Sequence, residues 1–404
     1  MCIPTDKPAT FRNAAVAAES AIGHHPQACC KGRADFHLRR ILIPAFILIL
    51  AGLHALYYMG WTHDDPFITY RYVENVVAGR GFVFNIGERL EGYSNFLFLI
   101  MLIPASLSGL SLLAASQLYG FLSFLAAVAV LFFHQANHRR EMHWTAFLAP
   151  LLLAFSGDAV FWSVSGMETG VSLLTVGLGW ICFCREMKRD ARMFPWSALL
   201  FLAAALNRPE GVLIFAALLP AAFMALRRGD VSLRRLLFWA CLFLVPFGIY
   251  NVWRYLYFGE LLPNTFYAKA TGSPSYQMRM GVAYLAAFLK RNPHLLLALP
   301  AVVIPLLSKR LSLERSTALA LVLGQCAFIV YCGGDWMPIG RFMVPVLLPL
   351  LYLVSEGLFD LMEHMAVRDA LFRRRDAIGL LFAVLLLVSL VQERRATRPI
   401  VYSF

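Results

Sequence analysis

Residues 41–95 read ILIPAFILILAGLHALYYMGWTHDDPFITYRYVENVVAGRGFVFNIGERLEGYSN. The opening run, from Ile41, is apolar and about as long as a helix crossing a hydrocarbon core. From Trp61 the composition changes abruptly. Two adjacent carboxylates, Asp64 and Asp65, are followed by Asn, Tyr, Arg, Glu and Gly until apolar residues resume at Phe96. A carboxylate placed inside a bilayer costs about 2.5 kcal/mol or more, so a pair at the edge of a span marks a candidate functional site.

Hydrophobic residues make up 59% of the chain and charged residues 15%, with a mean hydropathy of +0.64. Apolar runs of spanning length recur from residue 41 to residue 391. In lipid the backbone must satisfy its own hydrogen bonds, which leaves helices or closed barrels. These runs are continuous rather than alternating, so the expected fold is all-α, a polytopic membrane protein.

The net charge of +12 lies mostly between the spans, in basic groups around Lys31–Arg40, Arg139–Arg140, Arg185–Arg192, Arg227–Arg235, Lys309–Arg315 and Arg373–Arg375. Short loops rich in Lys and Arg stay on the cytoplasmic side. Topology therefore accounts for the charge, and no nucleic-acid partner is expected. With those six loops inside, segments 61–95, 156–168, 207–211, 258–292 and 333–341 fall outside, and every motif-like segment lands on that one face.

Phe96 to about Ser108 is short for a span and contains Pro104, so it reads as interfacial or re-entrant. Tyr276 to Lys290 reads as an amphipathic helix on the outer surface. About eleven spans result, with the carboxyl terminus outside. Residues 1–40 have no apolar core of a secretory signal and read as a disordered cytoplasmic tail. The eight cysteines form no framework and no metal-type Cys/His spacing.

A carboxylate at the interface can take a proton from a hydroxyl nucleophile or stabilise charge at a reacting carbon. Arg208, Lys269 and Arg341 are the cations suited to a phosphate. Amide and aromatic groups (Tyr93, Asn95, Asn264, Trp336) suit a sugar ring, with Glu168, Glu210 and Asp335 beside them. Each has a plainer reading. Asp64 or Asp65 can cap the helix that begins near Pro66. Glu168 can be a first-turn helix acid. Arg208 can pair with Glu210 and Asp335 with Arg341, while Trp61 and Trp336 can anchor at the membrane interface. No glycine-rich phosphate loop is present, and a divalent cation shared between carboxylates and a phosphate fits the residue types.

DDPFITYRYVENVVAGRGFVFNIGERLEGYSNF resembles the first outer loop of a bacterial GT-C glycosyltransferase family, the terminal arabinofuranosyltransferases of mycobacterial cell-wall assembly. SGMET at 165–169, NRPEG at 207–211, LPNTFYAK at 262–269 and GGDWMPIGRF at 333–342 resemble that family's later motifs in the same order. The resemblance runs from about Trp61 to Pro349. It implies a GT-C fold of the bacterial inner membrane with its active site facing the periplasm. It also implies a polyprenyl-phosphate sugar donor, decaprenyl-phosphoryl arabinofuranose in those relatives, lying against membrane lipid. Asp64 or Asp65 would be the essential carboxylate. The acceptor would be a cell-envelope glycan or a surface protein. The cell-wall enzymes carry a soluble domain after the membrane region, while this sequence stops at Phe404; in that it resembles more the compact enzymes that arabinosylate type IV pilins, with either acceptor expected. The competing expectation is a flippase for a lipid-linked sugar, but transporters concentrate ionisable groups at mid-membrane, often in repeated halves, and no repeat is visible.

Overall fold

The computed structural model describes residues 26–138, 145–188, 193–264, 273–308, 311–337 and 339–366. All secondary structure among them is helical. The chain divides into two compact units, residues 1–46 and 47–404. The first is described as the leading part of helix α1, Pro26–Tyr58; residues 1–25 of the expected tail lie outside the described residues.

The second unit is a bundle. Its elements are α2 (Asp65–Val77), α3 (Phe96–Leu107), α4 (Leu112–His138), α5 (Thr145–Phe155), α6 (Gly157–Val164), α7 (Thr169–Glu186), α8 (Trp196–Asn207), α9 (Gly211–Ala216), α10 (Leu219–Arg227), α11 (Leu233–Phe258), α12 (Pro274–Arg291), α13 (Pro300–Leu307), α14 (Leu313–Cys332) and α15 (Leu347–Ala366). Serine caps open several of them: Ser156, Ser232, Ser273 and Ser312 each accept a first-turn amide. Left-handed Gly259 and Gly333 close α11 and α14.

Among the described residues, five helices are long and apolar enough to cross a membrane: Ile41–Tyr58, Leu112–Asn137, Leu233–Phe258, Leu313–Cys332 and Arg341–Glu363. Two bent pairs bring the number to at most seven, if each pair is one span. Phe147–Phe155 and Gly157–Val164 meet at 55°, and Pro274–Arg291 and Pro293–Leu307 at 95°. Eleven were expected, and one of those lay in residues 376–391, outside the described residues. The remaining shortfall has a physical cause. Of the three others, the blocks at 196–207 and 211–227 form short helices, and 12 residues of α-helix extend only about 18 Å; the third, Thr169–Glu186, is a longer helix. Irregular backbone at that depth is tolerated where protein covers it.

The centre of the bundle is α7, buried along nearly its whole length and packed on α4 and α8. Segment Arg341–Glu363 is 94% buried and lies against α5, α13 and α14. By contrast α11 is only 11% buried, with Leu244, Ile249, Val252 and Leu256 outermost; it is an outer helix with an apolar surface.

Glycine sets the closest approach. A Cβ at Gly120 would stand 1.7 Å from the Ser163 carbonyl oxygen, and one at Gly170 2.8 Å from the Gly120 oxygen. So α4, α6 and α7 touch backbone to backbone. Gly120→Ala is expected to lower the thermal midpoint of the detergent-solubilised protein, since overpacking costs about 1–3 kcal/mol. Gly248→Ala, where nothing lies within 4 Å, should not lower it.

Candidate active site

The described motif segments are breaks between helices, and they gather at one end of the bundle. Antiparallel α7 and α14 define that end. At the other, Lys188 pairs with Glu314 at 2.9 Å and Arg315 with Glu356 at 2.8 Å, so the described edges of two basic loops meet there.

Residues 61–65 form the edge of the motif end. The Trp61 carbonyl accepts from Gln117 Nε2 (3.0 Å), and Thr62 Oγ1 donates to the Ser165 carbonyl (2.9 Å). His63 pairs with Asp64, whose side chain remains 84% exposed. Asp64 stands at the N-cap of α2 but caps nothing, its backbone already being helical at φ −77°, ψ −34°. Capping therefore does not explain it. Asp65 lies in the first turn with Pro66 after it, partly buried. The ligand atoms of His63, Asp64 and Asp65 all lie within 4.8 Å of one another. One imidazole and two carboxylates form a donor set that fits a divalent cation.

Behind this edge lies a buried charge cluster. Glu168 precedes α7. Arg208 sits in extended backbone between α8 and α9 (φ −151°, ψ 135°), which turns its side chain across the break. Arg208 Nη1 donates to Glu168 Oε1 (2.6 Å) and its Nε to Glu210. The other Glu168 oxygen accepts from Asn95 Nδ2 (3.1 Å), and Asn95 also bonds Thr69 (3.1 Å). Asn207 Nδ2 donates to the Glu168 carbonyl and to Ser172 Oγ. Arg341 binds Asp335 with two nitrogens, at 2.6 and 3.1 Å. The Phe342 ring is shared, with each guanidinium carbon 5.3 Å from its centre.

The charges in this cluster are two guanidiniums, Arg208 and Arg341, against three carboxylates, Glu168, Glu210 and Asp335. The sum is −1. Burial opposes the charge on Arg208, but Glu210 and Glu168 outweigh it and hold the guanidinium above its ordinary value. Such a cluster is poorly suited to receive a phosphate. Both arginines expected at a phosphate are already engaged by carboxylates, as the ion-pair readings had it, and Arg208 additionally reaches Glu168, 40 residues away.

The 258–292 segment joins at two points. Glu91 pairs with Arg254 (2.6 Å), Arg254 Nη2 donates to the Leu261 carbonyl (2.6 Å), and the Asn264 amide donates to the Glu91 carbonyl (3.1 Å). Burial raises the Glu91 pKa, with Arg254 pulling it back. Farther on, Asn292 Nδ2 and the Gly340 amide both donate to Asp158. Lys269 lies outside the described residues. Tyr93 does not line the charge cluster: it is 3% exposed, among Tyr72, Phe96 and Phe258.

Of the residues singled out from sequence, Asn95, Glu168, Arg208 and Glu210 form one network, and Asp335 and Arg341 join it through Phe342. Asp64 and Asp65 form its exposed edge. Asn264 is tied in through its backbone. Sequence reading passed over His63, Thr69, Glu91, Asp158 and Arg254. Arg254 had a usable signal, being the one cation of α11 beyond its first turn.

No protein-family model matches the chain. It is 29% identical over 244 residues to a terminal β-(1→2)-arabinofuranosyltransferase of Mycobacterium tuberculosis, covering 56% of this chain and 38% of that protein. It is 29% identical over 147 residues to the Corynebacterium glutamicum protein of the same description, covering 35% and 21%. The matches thus take in less than two fifths of each relative's length.

Proposed function

We propose that this chain is a GT-C glycosyltransferase of the bacterial cytoplasmic membrane. It moves D-arabinofuranose from a polyprenyl-phosphate donor to an extracytoplasmic glycan or surface protein such as pilin. One observation carries the reading: four separated motif segments, and the described start of a fifth at 262–264, converge at one end of a helical bundle, with the exposed Asp64 at the edge. The two similar proteins supply the sugar.

In this mechanism Asp64 takes the proton from the acceptor hydroxyl. It is the better placed of the pair, exposed beside His63, while Asp65 is partly buried in the first turn of α2. The acceptor oxygen then bonds to the anomeric carbon as the bond from that carbon to the phosphate oxygen breaks, and polyprenyl phosphate leaves. Positive charge develops at the sugar ring in such displacements. The buried excess of carboxylate behind the edge favours that charge. Because Arg208 and Arg341 are engaged, the donor phosphate is assigned to Lys269, the third cation singled out from the sequence. His63, Asp64 and Asp65 would hold a divalent cation, which would neutralise phosphate charge when bound. The polyprenyl chain lies along the apolar flank of the bundle.

The test is incubation of the purified protein in vesicles with radiolabelled polyprenyl-phosphate arabinofuranose. Release of polyprenyl phosphate with labelled product is expected. A flippase would leave the donor intact, and that result overturns the reading.

A further inference from the structure

Trp61 and Trp336 share one sequence reading, anchoring at a membrane interface, while Trp336 alone also suits a sugar ring, and the structure separates them. The Trp61 ring packs 4.2 Å from Phe161, and its indole N–H is buried. Trp336 is 65% exposed. Its neighbours are the reverse: the Asp335 side chain is 1% exposed and Met337 2%. With Asp335 held on Arg341 by two hydrogen bonds, the indole between them is forced outward. The loop around it is fixed at both ends. Gly333 and Gly334 take φ of 83° and 81°, the Gly334 amide donates to the Ile329 carbonyl, and the Gly340 amide donates to Asp158. On the inner side the His63 ring meets the indole at 5.2 Å and 63°, and His63 in turn holds Asp64.

An exposed apolar ring that reaches an exposed carboxylate through one histidine, and is held there by buried neighbours, has the chemistry of a carbohydrate platform. The C–H face of a sugar covers the indole while the hydroxyls and the anomeric carbon turn toward the acid. We propose that Trp336 is the residue against which the transferred sugar ring stacks, so that it reads the sugar and not the lipid phosphate. This rests on the transferase reading above and adds to it the residue that selects the glycosylated donor.

The experiment compares equilibrium binding of farnesyl-phosphoryl arabinofuranose with that of plain farnesyl phosphate, using the full chain in nanodiscs. The wild type is expected to prefer the glycosylated ligand. Trp336→Ala should weaken that ligand about tenfold, the scale of one lost aromatic stack, and leave plain farnesyl phosphate unchanged. Trp336→Phe should keep most of the preference. Trp336 is exposed, and unchanged binding of plain farnesyl phosphate shows that the variant is folded. If Trp336→Ala keeps the wild-type preference, or loses both ligands equally, the platform assignment is wrong while the transferase reading stands. A wild type with no preference for the sugar overturns both.

Discussion

Asp64→Asn should reduce single-turnover transfer about 10²–10⁴-fold, the usual contribution of a positioned general base. Asparagine keeps the size and loses the capacity to take a proton, and the parent carboxylate is exposed, so folding should be undisturbed. Asp65→Asn should give a smaller loss, because its carboxylate starts a helix and stands back from the open edge. His63→Gln should fall between them, since it removes the group that orients Asp64. The measurement is the rate of labelled product formation in membranes at saturating donor. Full activity in both Asn variants would remove the carboxylates from the mechanism.

Arg208→Leu should have the largest effect on the folded state. Glu168 and Glu210 are 4% and 3% exposed, and both bind Arg208. Removing the guanidinium strands two carboxylates where water cannot reach them. Breaking one buried pair costs about 3–5 kcal/mol, comparable to the whole stability of many domains, about 5–15 kcal/mol. The variant should fail to appear in monodisperse form after detergent extraction. The triple variant Arg208→Leu, Glu168→Gln, Glu210→Gln should recover much of the yield, because the uncompensated charge is gone. Normal yield of the single variant would show that the cluster is hydrated and its net charge of no consequence.

Much of the architecture was legible in the chain. Apolar runs such as 112–137, 233–258 and 313–332 become single long helices, because in lipid an uninterrupted apolar segment has few other ways to satisfy its backbone. The short reading of Phe96–Ser108 agrees with the 12-residue α3. The span count was less legible, since hydropathy measures composition and not the point where backbone breaks. Arg208 leaves helical geometry inside an otherwise apolar stretch, and only its partners explain why.

Order along the chain also placed the polar segments at alternate helix ends, which is enough to bring 61–95, 165–168, 207–210 and 333–342 to the same end of the bundle. Which charge meets which is another matter. Arg208 chooses Glu168 across 40 residues and Glu91 finds Arg254 across 163, and no local pattern encodes such choices. Tyr93 goes inward and Trp336 outward for the same reason: their neighbours' contacts in three dimensions settle the direction. Composition and periodicity act over a helical turn or a span, so they reveal helices and loop chemistry. Ion pairing, burial and the open face of a side chain arise from packing between distant segments, and they emerge once the bundle has closed.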